Sequence, residues 1–293
     1  MKRCLIIALA LPAVLTAQER TSDNLFTWSG RVPSNSTVTI RHYNGPIDVR
    51  EGTGDRVEFR AERRSRRSNE LSFEVENVSD GVMICGVWRG RSACDEGRRS
   101  WGGDWDDGPP SSRLSVTLPK GVRLRANTGN GDVTVEKASN DVEVRSGNGD
   151  VRVTLTAGRV DVGTGNGELE IDGATGPVRA NTGNGRVSVV TSTGPVSAHT
   201  GNGEIDVRMK TLSASAGDME FVTGNGSITV ALPSNFTGEV DANTGNGEFR
   251  SDFEIRVMGR LNPNHVRGTI GDGGGRLIKM TSGSGRLELR KAG

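Results

Sequence analysis

The residues most typical of a binding site lie together in the segment RRSWGGDWDDGPP. Trp101 and Trp105 occur there among the carboxylates of Asp104, Asp106 and Asp107. An exposed aromatic face beside polar groups is typical of a sugar platform, and carboxylate oxygens are also ligands for hard cations. The surrounding glycines are equally typical of an irregular loop that binds nothing. The segment is therefore a candidate binding loop, and a plain surface loop is the favoured alternative.

A second group of carboxylates recurs at an interval of eighteen residues, at Asp132, Asp150 and Glu168. If the chain stacks with this period, the three side chains form a column that could hold a cation or the hydroxyl groups of a sugar. Arg186 occupies the next place and interrupts the column. A solvated charged face that discourages aggregation explains the same pattern, and we favour it.

The segment AERRSRRSNE contains a cluster of basic residues. Such a patch attracts anionic polysaccharide, lipid headgroups or DNA. It contains no interleaved aromatic residue, and three nearby glutamates dilute its charge. We therefore favour a solvated strand-loop-strand. The arginines are Arg63, Arg64, Arg66 and Arg67, and the glutamates are Glu58, Glu62 and Glu70.

Residue patterns typical of catalysis are sparse. The three histidines, His42, His199 and His265, stand in unrelated contexts, and the sequence shows neither a nucleophile elbow nor zinc-type histidine spacing. We therefore expect no enzyme activity, no catalytic residues, no metal site and no cofactor. The alternative is a carbohydrate-active enzyme with a glycosidase-like pair of carboxylates on a β-helix, because acids are plentiful.

The elements that must position these residues are built from a repeat. From Thr128 to Arg208 the chain reads as consecutive nines without a gap, and glycine-asparagine units alternate with looser ones. Two nines therefore form one eighteen-residue coil. Apolar residues hold the sixth and eighth places, as Val133 and Val135 do, which puts both side chains on one face of a strand. The pattern predicts an all-β, single-stranded β-solenoid.

The apolar spacing also bears on the shape of the coil. A three-sided left-handed helix requires apolar residues every six positions, whereas here they are two and then seven apart. We therefore favour a two-sided β-roll of two facing sheets. Calcium-binding nonapeptides carry a carboxylate at the sixth place, but here that place is aliphatic from Val133 to Ile205. This comparison argues against calcium.

Glycine and asparagine predict a sharp turn at the same place in each full coil. Glycine reaches positive φ without steric cost, and asparagine tolerates it better than most residues. Asparagines stacked about 4.8 Å apart are expected to form a side-chain amide ladder. The predicted structural turn residues are Gly129, Asn130, Gly131, Gly147, Asn148, Gly149, Gly165, Asn166, Gly167, Gly183, Asn184, Gly185, Gly201, Asn202 and Gly203.

The first seventeen residues are typical of a secretory signal peptide. Lys2 and Arg3 precede the apolar run Leu5 to Leu15, and Ala17 offers a small residue for cleavage. We expect an extracytoplasmic protein in the periplasm, on the outer surface or secreted, with no transmembrane segment in the mature chain. The formal net charge of +1 does not favour nucleic acid as a partner.

Two cysteines, Cys85 and Cys94, follow the signal segment. An exported chain meets oxidising conditions, so we predict that they form a disulfide, with two free thiols as the alternative. Two cysteines without a nearby histidine do not complete a zinc site.

The repeat predicts one domain after the signal peptide. Residues 1–17 form the signal peptide and residues 18–293 a single β-solenoid domain. Within it we expect degenerate first coils over 24–125 with an irregular loop at 86–112, regular TGNG repeats over 126–252, and a C-terminal coil and cap over 253–293. The charged end LELRKAG suggests capping.

Four features together resemble a known family: repeated TGNG units, the early NGPIDV, a cysteine-bearing middle loop, and the ending GTIGDGGGRLIKMTSGSGRLEL. They are similar to the bacterial putative-adhesin family, an exported domain of unknown function with β-strand repeats. The resemblance covers nearly the whole mature chain and implies a β-solenoid of right-handed type. It supplies no catalytic residues, and the family label is not evidence of adhesion.

We therefore expect a non-enzymatic extracytoplasmic β-solenoid that presents a polar surface to a cell-envelope glycan or a surface protein. A carbohydrate-active enzyme on the same scaffold is one alternative. A structural subunit that assembles end to end is another, because the ends of a solenoid are open sheet edges.

Overall fold

The computed structural model describes residues 18–22, 24–63, 71–94, 109–212, 217–258, 262 and 264–292. The predicted signal peptide lies outside these ranges. The described residues form 27 β-strands and no helix, so they contain no helix that could span a membrane. The all-β fold class predicted from the repeat is confirmed.

Nine strands precede the regular coils. They are β1 (Gln18–Ser22), β2 (Leu25–Arg31), β3 (Thr37–Asn44), β4 (Ile47–Glu51), β5 (Arg56–Arg63), β6 (Leu71–Val78), β7 (Gly81–Trp88), β8 (Arg91–Ser92) and β9 (Ser112–Leu118).

Twelve strands form the regular coils, two to each coil. They are β10 (Arg123–Asn130), β11 (Val133–Ala138), β12 (Val142–Asn148), β13 (Val151–Thr156), β14 (Val160–Asn166), β15 (Leu169–Ala174), β16 (Val178–Asn184), β17 (Val187–Thr191), β18 (Val196–Asn202), β19 (Ile205–Met209), β20 (Met219–Asn225) and β21 (Ile228–Pro233).

Six strands follow the regular coils. They are β22 (Gly238–Asn246), β23 (Phe249–Ser251), β24 (Ile255–Val257), β25 (His265–Ile270), β26 (Leu277–Ser284) and β27 (Leu287–Ala292).

The strands form two sheets, and each regular coil contributes one strand to each. Sheet A has 13 described strands in the order β1-β2-β5-β9-β4-β11-β13-β15-β17-β19-β21-β27-β23. Sheet B has 14 described strands. Thirteen follow the order β24-β25-β22-β26-β20-β18-β16-β14-β12-β10-β3-β7-β6, and the fourteenth, β8, pairs with β7 outside this path. Two sheets agree with the two-sided roll predicted from the apolar spacing.

The stacking has the predicted period of eighteen residues. Val133 lies opposite Val151, and Val151 lies opposite Leu169, in parallel pairing. The sixth and eighth residues of the nines face the interior, where Val133 and Val135 are fully buried. β-Branched side chains fit this pleated surface well, so aliphatic side chains fill most of the core of the regular coils.

The N-terminal end corrects the interpretation of 24–125 as degenerate first coils. Only two coils stack in parallel here, one formed by β3 and β4 and the other by β7 and β9. In this stack β3 pairs with β7, and β4 pairs with β9. Strands β1, β2 and β5 extend sheet A, and β6 extends sheet B, in antiparallel pairing. The loop expected over 86–112 is also shorter, because β7 continues to Trp88 and β9 begins at Ser112.

The C-terminal end corrects the expectation that LELRKAG closes the solenoid. Strands β26 and β27 are inserted between the coil β20–β21 and the coil β22–β23. The cap is formed instead by β25 and β24, which pair antiparallel beside β22. The last coil in the sequence is therefore an internal coil of the solenoid.

Aromatic side chains are concentrated at the N-terminal end of the core. The rings of Phe26 and Phe59 from sheet A and of Phe73 from sheet B pack with centroids 5.5 to 6.0 Å apart. Trp28 is buried beside them. These large rings supply apolar area where antiparallel strands replace the regular coils.

The turn of each full coil forms a continuous corner of the solenoid. The amide of Asn148 donates a 2.7 Å hydrogen bond to the Asn130 side-chain oxygen, and Asn166 donates to Asn148 in the same way. This asparagine ladder confirms the predicted contact. Its members are Asn44, Asn130, Asn148, Asn166, Asn184, Asn202 and Asn225.

A second ladder lies beneath the asparagines. The buried Thr164 hydroxyl donates a hydrogen bond to the Gly149 carbonyl of the preceding coil, and Thr182 donates to Gly167. Gly167 itself has φ +151, and a Cβ there would lie 2.1 Å from the Gly149 carbonyl oxygen. The corner therefore requires glycine for two reasons, its backbone conformation and the close approach of the neighbouring coil.

We predict that Gly167→Ala destabilises the protein by more than about 3 kcal/mol, because it combines a φ reserved for glycine with an overlap on a backbone oxygen. The matched control is Gly163→Ala in β14, where the φ is not in the left-handed region and the nearest contact is 3.3 Å away. Denaturant unfolding measures both variants. Equal losses of stability would contradict the corner constraint.

We predict that Asn166→Asp costs about 1–2 kcal/mol at neutral pH, because aspartate cannot donate to the Asn148 side-chain oxygen. Acidification should reduce this loss, since a protonated carboxyl group regains a donor. Asn181→Asp, on the outer face of β16, makes the same chemical change away from the corner. Thermal unfolding over a pH series compares the two, and a pH-independent difference would argue against the ladder.

Candidate binding surface

The outer faces of the sheets carry charged residues that pair between neighbouring coils. Arg125 lies 3.0 Å from Glu143 on sheet B, and Arg152 lies 2.6 Å from Glu170 on sheet A. Exposed pairs of this kind contribute about 0–1 kcal/mol each. Their charges are neutralised locally, so these parts of the outer faces offer a partner little unpaired charge.

The predicted acidic column serves the solenoid itself. The Asp132 carboxylate accepts a 2.9 Å hydrogen bond from the Asp150 backbone N–H, and Asp150 accepts one of 2.7 Å from the Glu168 backbone N–H. Arg186 forms an ion pair with Glu204 in the following coil. These contacts favour the structural interpretation of the column over a cation site.

A concave groove of about 840 Å³ lies on the outer face of sheet A at the N-terminal end. It extends from β1 across β2, β5, β9 and β4 to β11. With strands about 4.8 Å apart, the five steps span about 24 Å. The groove lies where the sheet passes from parallel coils to antiparallel strands. We call it the N-terminal groove.

Strand register arranges the lining of the N-terminal groove in two rows. Each row contains the residues that face one another on successive strands. The first row is Arg20, Thr27, Arg60, Ser115, Asp48 and Thr134. The second row is Ser29, Glu58, Thr117, Arg50 and Glu136.

The charged residues of the N-terminal groove fall into two classes. Arg60 pairs with Glu62, and Asp48 lies 2.5 Å from Arg113. By contrast, four exposed residues of the groove form no ion pair with any other described residue. These four are Arg20, Arg50, Glu58 and Glu136.

The predicted binding loop leaves the solenoid beside this end. The Asn44 amide donates a 2.6 Å hydrogen bond to the Pro109 carbonyl, and the Tyr43 hydroxyl donates one of 2.9 Å to the Arg91 carbonyl. Cys85 and Cys94 form a disulfide, with Cα atoms 5.5 Å apart. These contacts fix both ends of the loop. Its candidate residues, Trp101, Trp105, Asp104, Asp106 and Asp107, lie outside the described residues.

His42 is buried at the base of the same loop. Its Nε2 atom lies 3.2 Å from the Ser112 backbone oxygen and 3.1 Å from the Ser112 hydroxyl. Burial lowers the pKa of His42 to about 4, and the hydrogen bond to the Ser112 backbone opposes this only in part. Both side chains are enclosed, so this histidine-serine contact anchors strands rather than meeting a substrate.

The other two histidines lie elsewhere on sheet B. His199 on β18 is 3.5 Å from Glu220, and His265 on β25 is 3.3 Å from Asp241. Lys279 donates a hydrogen bond to Glu220, which lowers the pKa of that carboxyl. The fold does not bring the three histidines together.

Of the predicted basic patch only Arg63 is described, because Arg64, Arg66 and Arg67 lie outside the described ranges.

Among the described residues, one group of three side chains has metal-ligand spacing: Glu74, Glu76 and Cys94. The Cys94 sulfur is already bonded to Cys85, so it offers no thiolate. The two remaining carboxylates are a weak donor set for a metal.

Sequence reasoning missed the N-terminal groove. The signal that was available is the alternation of polar and apolar residues in RVEFRAER of β5, which marks Glu58 and Arg60 as outward-facing. Which strands lie beside β5 depends on antiparallel pairing between distant segments, and the repeat pattern does not reveal that pairing.

Residues 109–288 match the family model of Toastrack, DUF4097. The chain is a member of the Toastrack family. The match covers more than half of the chain and confirms the resemblance to a putative-adhesin family of unknown function. A search of curated proteins finds no match.

A search of solved structures finds two similar chains. One is a putative cell adhesion protein from Clostridium sporogenes, with 11% identity and a TM-score of 0.28 over 94% of this chain and 100% of that chain. The other is a putative adhesin from Bacteroides fragilis, with 12% identity and a TM-score of 0.43 over 92% of this chain and 98% of that chain.

We predict that His42 makes stability fall between pH 6.5 and about 4. In this window the unfolded chain binds a proton that the folded chain excludes. A contribution to the free energy of unfolding on the order of 3 kcal/mol is therefore present above pH 6.5 and lost on acidification. His42→Gln should flatten the curve of unfolding free energy against pH. His265→Gln is the exposed control. An unchanged slope in His42→Gln would contradict the lowered pKa.

Proposed function

We propose that this Toastrack protein is a non-enzymatic extracytoplasmic binding protein that presents its polar outer face to the cell envelope. The N-terminal groove is the observation that carries the proposal, because it combines concavity with charged groups that have no ion-pair partner among the described residues. The signal-peptide pattern of residues 1–17 supports a location outside the cytoplasm.

The placement of the histidines favours binding over catalysis. His42 is enclosed, and His199 and His265 lie on separate strands of sheet B, beside carboxylates that they can pair with only when protonated. A general acid or base must reach the reacting group directly or through one water. The carboxylates of the acidic column accept backbone hydrogen bonds instead. These contacts give the enzyme alternative no support.

The C-terminal end of the solenoid disfavours end-to-end assembly. At the C-terminal end, the outermost strands β23 and β24 have three residues each. Edge strands this short are a common protection against pairing with another chain. We therefore expect a protein that presents a surface rather than a filament subunit.

We predict that immobilised protein of residues 18–293 retains intact bacterial cells and isolated envelope polysaccharide. The measurement is retention compared with an immobilised protein of similar size and charge. Cell fractionation of the full chain tests the location separately. If neither cells nor envelope material is retained, the proposed binding function is wrong. If the mature chain is found in the cytoplasm, the proposed export is wrong.

A further inference from the structure

We infer that the N-terminal groove binds a neutral polysaccharide strand that lies across strands β1 to β11, along the solenoid axis. This inference rests on the proposed function and names its ligand class and site. Its support comes from the hydroxyl groups of the floor, the charge balance of the lining, and the shape of the face.

The floor of the groove is a band of hydroxyl groups. Thr27 and Ser29 on β2, Ser115 and Thr117 on β9, and Thr134 on β11 all face outward and are half-buried. Each hydroxyl both donates and accepts, so together they match a ligand that presents hydroxyl groups along its length.

Longer charged side chains stand among these hydroxyls. The guanidinium of Arg50 contacts the Thr117 hydroxyl at 3.5 Å, and Glu58 and Glu136 occupy the same row. Guanidinium groups supply several donors in a plane, and carboxylates supply acceptors. Without ion-pair partners among the described residues, these groups are available to hydrogen-bond the hydroxyls of a sugar.

The charge balance argues against a polyanion. The charged lining residues are three arginines, Arg20, Arg50 and Arg60, and three acids, Asp48, Glu58 and Glu136. Nucleic acids and acidic polysaccharides are held by an excess of basic residues, and their binding weakens steeply with salt. A lining without net charge instead fits a neutral ligand.

The chemistry of the face also separates a polysaccharide from a peptide or a lipid. Extended peptides commonly bind by adding a strand to a sheet edge, whereas the groove lies on the face of a sheet whose strands are paired on both sides from β2 to β11. Lipid chains require apolar surface, and the rings of Trp28 and Phe59 beneath the floor are buried.

The test measures binding of residues 18–293 to an array of neutral and acidic glycans, and then titrates the glycan class that binds best by calorimetry. The groove variants are Arg50→Ala, Glu58→Gln and Thr117→Val. The matched controls are Arg208→Ala, Asp206→Asn and Thr229→Val, on the same outer face of sheet A but on β19 and β21. Thermal unfolding establishes that every variant is folded.

We expect the protein to bind a neutral glycan class with an affinity that varies little with salt concentration. Arg50→Ala should weaken it about tenfold, as the loss of a hydrogen bond to a charged group does. The controls should bind as the unchanged protein does.

Three results would overturn the inference while the proposed function stands. They are neutral-glycan binding that the groove variants leave unchanged, binding restricted to acidic glycans with strong salt dependence, and retention of cells without binding to any glycan. Failure to bind either glycans or cells would remove both the inference and the proposed function.

Discussion

The structure depends on the contact between glycines at the corner of the solenoid. The second glycine of each TGNG unit lies against the carbonyl of its counterpart in the preceding coil, closer than any side chain would permit. Only glycine permits the ordinary spacing of parallel strands, about 4.8 Å, to continue through the corner. The threonine hydroxyls and asparagine amides can then form unbroken ladders, because every coil presents its donor at the same place. Coil register and the positions of outer-face charges follow from this corner.

Regular stacking also explains why the distinctive surface lies at the end of the molecule. Along the regular coils, charges recur opposite one another and form ion pairs between neighbours, as Arg152 and Glu170 do. At the N-terminal end the period is broken by antiparallel strands over an aromatic core. Arg50, Glu58 and Glu136 form no ion pair with another described residue, although Arg50 and Glu136 lie opposite each other on β4 and β11. The N-terminal groove lies along these strands. The candidate binding surface therefore lies where parallel coils meet antiparallel strands.

The repeat predicts local structure well, because each nonapeptide encodes its own strand and turn. The two sheets, the period of eighteen residues and the asparagine ladder could all be derived from positions such as Val133 and Asn130. The order in which the coils at the ends stack could not be derived from the sequence. Strands β26 and β27 carry the same residue pattern as any other coil. Their own sequence therefore does not indicate that they pair beside β20 and not at the end of the solenoid. The groove was missed for the same reason, since Arg50, Glu58 and Thr117 are brought together by long-range pairing alone.

Carboxyl footprinting of the outer face shows directly where polysaccharide binds. The mature chain is labelled at its exposed carboxylates, with and without the neutral fraction of isolated envelope polysaccharide, and modification is measured by mass spectrometry. If the groove is the binding site, polysaccharide protects Glu58 and Glu136 and leaves the modification of Asp206, exposed on the same sheet face, unchanged. Protection of Asp206 without protection of Glu58 and Glu136 would contradict this assignment.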